Sequence, residues 1–345
     1  MLITELTTDT CSEWDTYVEN SAGGLPHHLS GWRNVLTRTH GYETRYLMAY
    51  AGGGVVGILP LFIVRSLLVG NTATTMPGGL CADSDEVAAA LIARGQEIAR
   101  QSGAMRFLLH DSRRCWPARL QSNSGHVHWV VDVRLSADAL WQRLDGNIRR
   151  QVRIGRRQGL RVEIDRSGQL LAPFYDVLSR FTHQAGTPVF GRDFLENVVA
   201  TFANGFNIAV VYQEQAAIAA YFQLQMGSTV YGAWGAALRE HLALRPVYLA
   251  YWEIMNDAIE NGYDFLDMGR SPAGSNASKF KGQWGGVCRP VYQQVANLGN
   301  GHTVGVAGRV ESEGKFQLVR RLWPKLPLAV AQFLGPKLRR HVPFA

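Results

Sequence analysis

The sequence predicts a mixed α/β protein made of two domains of similar design. Four observations predict it. The chain has 345 residues, enough for about two domains at ~150 residues each. Its 46% hydrophobic and 18% charged residues are those of a globular chain with a sizeable core. Runs with the period of strands alternate with runs of helical period. A turn, a helix and a buried strand then occur twice, over Pro77–Leu109 and over Arg245–Met268.

In the first half, Ser12–Asn20 carries Trp14, Tyr17 and Val18 on one helical face. Ser30 is placed to cap a helix that turns Trp32, Val35 and Leu36 inward, and Gly41 closes it. Thr44–Ala51 and Val55–Val64 read as strands joined by the glycines at 52–54. Leu67–Thr75 reads as another strand and Pro77-Gly78-Gly79 as a tight turn. A helix through Val87, Leu91 and Ile98 ends near Gly103, followed by strands at Met105–His110 and His126–Val133.

The second half repeats the order. Gly159–Ile164 is a strand, and Leu170–Gln184 and Arg192–Phe202 are helices. Strands follow at Phe206–Tyr212, Ile218–Gln225 and Thr229–Trp234, with turns at Glu214 and Gly227. Pro246–Glu260 is a helix, and Tyr263–Met268 a strand that Gly269 ends. Between the halves, Ser136–Arg161 reads as one helix with an apolar stripe of Trp141, Leu144, Ile148 and Val152. Arg149, Arg150, Arg153, Arg156 and Arg157 collect on its other side. With few acids near them, they form a rail for the phosphates of RNA or of a phosphate-bearing carrier, or else a solvated face. The expected divisions are 1–135, 136–300 starting with this basic helix, and a tail at 301–345.

The richest stretch is YDFLDMGRSPAGSNASKFKGQWGG, Tyr263–Gly286. Its strand delivers Asp267. A small-residue loop opened by Arg270, Ser271 and Pro272 follows, and the chain returns with Lys279, Phe280, Lys281 and Trp284. An acid, an arginine and two lysines around a strand end are groups that grip an anionic or carbonyl-bearing substrate. Lys281 is the first candidate for chemistry. Asp267 is a candidate to take a proton or orient Arg270, and Arg270 to clamp a carboxylate or phosphate. Ser271 and Lys279 join the same binding set, and Trp284 either stacks on substrate or closes the core.

The pattern fD-x-G-R-S…K-F-K-x-x-W-G resembles the second half of the Fem-type transferases, which carry two tandem GNAT-like acyltransferase domains. Within them it is similar to the FemAB-related branch associated with PEP-CTERM and exosortase systems. The resemblance runs from about Trp32 to Gly286 and implies two GNAT-like domains joined by a short basic helix. It also implies an acyl- or aminoacyltransferase that acts on an amine of a cell-envelope or exopolysaccharide precursor, with Lys281 gripping the donor. It implies further that Trp32, Tyr42, Gly78 and Gly79 line an acceptor pocket and that Pro188, in Gly186-Thr187-Pro188, shapes the groove. The donor stays open between aminoacyl-tRNA and acyl-CoA. The usual coenzyme A signature, Q/R-x-x-G-x-G/A, is absent from both halves. Ala236–Pro246 stands in its place, with Arg239 and Arg245 as phosphate-binding candidates. A non-catalytic protein that holds an anionic carrier, and a nucleic-acid-binding module, are the readings from other classes.

Composition narrows the rest. A net charge of +7 and a pI near 9.4 favour an anionic partner: RNA, a carrier phosphate or a membrane surface. The tail over Phe316–Ala345 mixes Trp, Phe and Leu with Arg and Lys and is broken by prolines. It is expected either to lie on an anionic membrane or to pack on the second domain. Cys11, Cys81, Cys115 and Cys288 lack metal or redox spacing and are expected as buried thiols. No metal and no tightly bound cofactor are expected. The acidic start has no secretory pattern, and Val55–Val64 is too short to span a bilayer. A cytoplasmic protein, peripheral at the inner face of the membrane, is the expectation.

Overall fold

The computed structural model describes residues 1–66, 70–299 and 320–342. The chain divides into two compact units. The first takes residues 1–125 together with the described parts of 291–319 and 334–345, and the second takes 126–290 and 320–333.

The first unit contains β1 (Leu2–Glu5), α1 (Cys11–Asn20), α2 (Gly31–His40), β2 (Glu43–Ala51), β3 (Gly54–Val64), β4 (Thr72–Thr75), β5 (Cys81–Ala82), α3 (Asp85–Gln101) and β6 (Arg106–Ser112). Its strands run β1-β2-β3-β4-β6, with β5 on β3. Among the described residues only β4 and β6 are parallel, over Thr72–Thr74 and Arg106–Leu108. The β2–β3 hairpin pairs Ala51 with Gly54, so Gly52 and Gly53, both at positive φ, make the two-residue loop. β2 is buried on both faces. Leu47 and Ala49 join the core under α3, while the Tyr46 ring on the opposite side stacks on Trp14 of α1 at 5.2 Å. That two-sided burial makes β2 and β3 read as nearly continuous apolar runs. Ser30 stands at the N-cap position of α2, yet its hydroxyl donates to Asp15 (2.8 Å) and makes no cap bond. The strand expected over Leu67–Thr75 is confined to β4 among the described residues, and 67–69 lie outside them.

In the second unit, β7 (Gln121–Asp132) leads in. The unit then holds α4 (Ala137–Arg143), α5 (Gly146–Arg157), β8 (Leu160–Asp165), α6 (Leu171–Gln184), α7 (Arg192–Thr201), β9 (Phe206–Gln213), β10 (Ala216–Met226) and β11 (Thr229–Ala237). After them come α8 (Pro246–Glu260), β12 (Phe265–Pro272), α9 (Asn276–Gly282) and the start of β13 (Val287–Asn297). Its strands run β7-β12-β11-β10-β9-β8. Here too only one pair among the described residues, β11 with β12, is parallel. α5 and α8 bury Ile148, Val152, Leu249 and Met255 against one face. On the other face Phe174 of α6 and Phe194 of α7 meet Phe206, Phe222 and Trp234 of the sheet.

The basic segment departs from expectation: it is two helices, not one. The break falls at Leu144 and Asp145, where the Asp145 side chain accepts from the Asn147 N–H and starts α5. In the tail, Trp323 is buried, and α10 (Leu328–Arg339) is the last helix described. Residues 316–319 and 343–345 of the tail lie outside the described residues. The cysteines depart from expectation too, because only Cys81 is buried while Cys115 and Cys288 are exposed.

Candidate active site in the second unit

β11 and β12 are neighbours for only three residues. Thr229, Val230 and Tyr231 pair with Phe265, Leu266 and Asp267, and no pairing between them follows. β11 continues beside β10 to Ala237, and β12 beside β7 to Pro272. The strands part at two glycines. A Cβ on Gly269 would lie 2.5 Å from the Gly232 carbonyl oxygen, and one on Gly232 would crowd the Met268 carbonyl. Gly269 is also at φ +74°. Only glycine meets both demands at that position.

Gly269 was expected to end the strand and does not. The β7–β12 register shifts between Asp267 and Arg270, and pairing then resumes as Arg270 with His128, Ser271 with Val127 and Pro272 with His126. Gly269 therefore sits in a β-bulge, and Arg270, Ser271 and Pro272 are strand residues rather than the opening of a loop. The partner strand lies more than 130 residues away in sequence (|i−j| is 139 for His128 and Asp267), so no local signal announces it.

Three side chains hold the bulge. Asp267, 2% exposed, accepts from the Gly269 N–H through Oδ1 (2.9 Å). Its Oδ2 lies 2.9 Å from Nδ1 of His128, itself 6% exposed. Lys281 donates through Nζ to the carbonyl oxygens of Gly269 (2.8 Å) and Arg270 (3.1 Å). Lys281 was expected where the chain returns from a small-residue loop. It lies instead in α9, which Ser275 caps by accepting from the Ser278 N–H. The cap signal Ser275–Ser278 reads as loop in sequence because all of its residues are small. Burial pushes the Lys281 ammonium down to about 8, against the opposing pull of Asp267. An ammonium has three N–H groups. Two serve the bulge, and the third has no partner among the described residues.

The remaining candidates are placed as follows. Ser271 is 3% exposed on β12, and Lys279 is exposed on α9. Trp284 is a core residue, 1% exposed, ringed by Tyr248, Tyr251 and Phe280. Its ring closes the core and does not face a substrate. Arg239 is exposed in a short 3₁₀ turn. Arg245 is half-buried in the left-handed region (φ +67°) directly before α8, and its Nε has no partner among the described residues. Pro188 lies half-buried between α6 and α7. Gly186 beside it lets the Arg320 backbone approach closer than a Cβ would allow.

The arginines of α5 are less bare than their sequence neighbourhood implies. Arg156 pairs with Glu253 of α8 (2.9 Å). Arg153 lies over the Trp141 ring (5.5 Å), and Arg149 donates to Gln142 (3.2 Å). Arg150 and Arg157 are exposed and form no ion pair among the described residues. The acid that takes Arg156 comes from a distant helix, which explains why the sequence shows none nearby.

The first unit holds the other expected residues. Trp32 is fully buried and donates its indole N–H to the Pro26 carbonyl (2.8 Å), so it is core rather than pocket wall. Tyr42 donates to the Arg340 carbonyl (2.8 Å) and is occupied by the tail. Gly78 and Gly79 take φ +114° and +73° and make the expected turn. Gly78 borders a cavity of about 450 Å³ that Ser21, Cys81, Asp83, Arg113 and Trp116 also line. His28 is fully buried against Gly78, and burial lowers it to about 4.

Sequence reasoning missed His128. The strand expected over His126–Val133 is part of β7, which begins earlier at Gln121 and ends at Asp132, and nothing near it in sequence marks the carboxylate that the fold supplies. Among the described residues, no group of three or more His, Cys, Asp or Glu could hold a metal ion, and no helix is long and apolar enough to cross a membrane.

Comparison with known proteins gives this arrangement a family context. Residues 142–281 match the acetyltransferase (GNAT) domain family. Among solved structures, FemX is similar over 93% of this chain and 100% of its own, with a TM-score of 0.65 at 15% identity. A tandem GNAT protein from the clavulanic acid biosynthesis pathway covers 87% of this chain and 99% of its own (TM-score 0.55, 13% identity). The C-terminal domain of a protein assigned as a lysylphosphatidylglycerol synthetase from Agrobacterium fabrum covers 84% and 92% (TM-score 0.56, 14% identity). No curated protein sequence matches the chain. Residues 142–281 thus carry a GNAT domain, and the chain has the fold of FemX and of the tandem GNAT protein along most of its length.

Proposed function

We propose that the second unit transfers an acyl or aminoacyl group to an amine of a cell-envelope or exopolysaccharide precursor. The observation that carries this reading is the parting of β11 and β12 with the Lys281 ammonium laid across the bulge. An extended donor fits between diverging strands by bonding to their unpaired edges, as an added strand does. The third N–H of Lys281 is then the donor group for the acyl carbonyl, whose oxygen gains negative charge as the amine attacks. A charge-assisted bond inside a buried site is strong enough to matter, because water competes poorly there.

Arg239, in the 3₁₀ turn before α8, and Arg245, at the N-cap of α8, are the groups to meet the phosphates of the donor's carrier, with the helix N-terminus favouring the same anion. Aminoacyl-tRNA is the donor this reading prefers. The likeness to FemX and the name of the Agrobacterium protein support it, as do the exposed Arg150 and Arg157. Acyl-CoA is the alternative, supported by the acetyltransferase description of the family. Leu322 (47% exposed) and Phe333 (64%), with Arg320, Arg321 and Lys325 close in sequence, support peripheral contact with an anionic membrane. That would put the protein at the inner face of the cytoplasmic membrane.

The test is a transfer assay with purified protein and a soluble envelope-precursor extract. Donors are total tRNA charged with radiolabelled amino acids and, separately, radiolabelled acetyl-CoA. Label reaching the extract from charged tRNA, and abolished by RNase, is the expected result. Label from acetyl-CoA that RNase leaves intact makes acyl-CoA the donor. No transfer from either donor ends the transferase reading.

A further inference from the structure

We propose that His128, oriented by Asp267, is the proton acceptor of the transfer in the second unit. This rests on the proposed transfer at the parting of β11 and β12. The Asp267 carboxylate only accepts hydrogen bonds, so the 2.9 Å contact to Nδ1 places the imidazole proton on Nδ1. Nε2 then carries the lone pair, and it has no hydrogen-bond partner among the described residues. Asp267 is itself fixed by the Gly269 N–H at the residue where the strands part. A base on β7 is thus held, in its reactive tautomer, by the carboxylate at the same bulge whose carbonyls hold Lys281.

In the transfer, the amine nitrogen forms a bond to the acyl carbon and the carbonyl electron pair moves to oxygen, beside Lys281. One N–H proton of the amine passes to Nε2 of His128. When the tetrahedral centre collapses, the bond from carbon to the carrier's oxygen or sulfur breaks, and the same proton goes to that leaving atom. The charged groups beside the base include one carboxylate and two cations. Asp267 bonds it, Arg270 is its register partner on β12, and Lys281 of α9 lies close enough to Asp267 to feel its charge. The Tyr251 phenol of α8 is raised by burial and further by Asp267, so it stays neutral.

The experiment uses hydroxylamine as a small nucleophile and charged total tRNA or acetyl-CoA as donor, and reads hydroxamate formation by the full chain. His128→Gln is expected to lower kcat about 100-fold or more at unchanged KM for the donor. The wild-type rate is expected to fall toward acid as one group is protonated, and that limb is expected to vanish in H128Q. Imidazole added to H128A is expected to restore part of the turnover, which a purely structural histidine would not allow. Thermal melts of both variants report whether the fold survives. Turnover of H128Q within twofold of wild type, with the acid limb intact, overturns this assignment alone. No hydroxamate from the wild type with either donor overturns the transfer site and this assignment with it.

Discussion

Among the described residues each unit contains a single parallel pair of strands, and each pair lasts three residues: β4 with β6, and β11 with β12. What happens beyond the third residue differs. In the first unit the protein closes its own gap. The His110 N–H donates to Oγ1 of Thr75 (3.0 Å), and the Gly78 N–H reaches the carbonyls of His110 and Asp111 (2.9 and 3.2 Å). In the second unit no such turn folds back. A bulge at Gly269 carries the strand away, and Lys281 and Asp267 bond to it, with His128 on Asp267. One architecture thus yields a sealed strand end beside a cavity in one copy and an open strand end beside a buried ammonium in the other. Chemistry belongs where backbone groups are left for a ligand.

The comparison breaks most visibly at Lys281. Lys281→Met is expected to cut transfer about 100-fold or more, read as kcat with charged tRNA or acetyl-CoA. A variant at full activity would remove the distinction between the two strand ends. The same lysine predicts a pH signature. Its folded value of about 8 lies below the ordinary 10.5. Between those values the unfolded chain binds the extra proton, so stability rises with pH across that window and is flat below it. The rise relative to K281M is expected to be on the order of 3 kcal/mol by urea denaturation.

Gly269→Ala probes the parting itself. Its positive φ and its approach to the Gly232 carbonyl predict a loss of roughly 2–3 kcal/mol in chemical denaturation. The sealed end gives a milder contrast. Thr75→Val strands the buried His110 N–H and is expected to cost about 1–2 kcal/mol while leaving turnover per folded molecule unchanged. The smallest effect belongs to α5. Reversing Arg150 and Arg157 together is expected to lower the salt slope of tRNA binding by about 2, with little change in stability. An unchanged slope would make that helix face ordinary solvated surface.

Local signals carried most of the fold. Periodicity placed α8 over Pro246–Glu260 with its observed bounds, and paired glycines placed the β2–β3 loop. These features depend on residues adjacent in sequence. The site was only half legible for the opposite reason. Asp267 and Lys281 stood out as charges in an apolar stretch, but their roles depend on β7, which also converts Arg270–Pro272 from loop to strand. His128 meets its partner only through that pairing. Likewise Glu253, which takes Arg156 out of the basic rail, comes from another helix. Trp32 and Tyr42 were expected at a pocket, yet aromatic identity alone does not separate a core ring from a wall, and burial assigns both to packing.

Hydrogen–deuterium exchange of the full chain with and without donor tests the central claim most directly, using charged total tRNA in one run and acetyl-CoA in another. The account predicts that one of these donors slows exchange in 232–237 and 267–272, at the parting of β11 and β12. Protection confined to 76–83 of the first unit, with 232–237 and 267–272 unchanged by either donor, would contradict it.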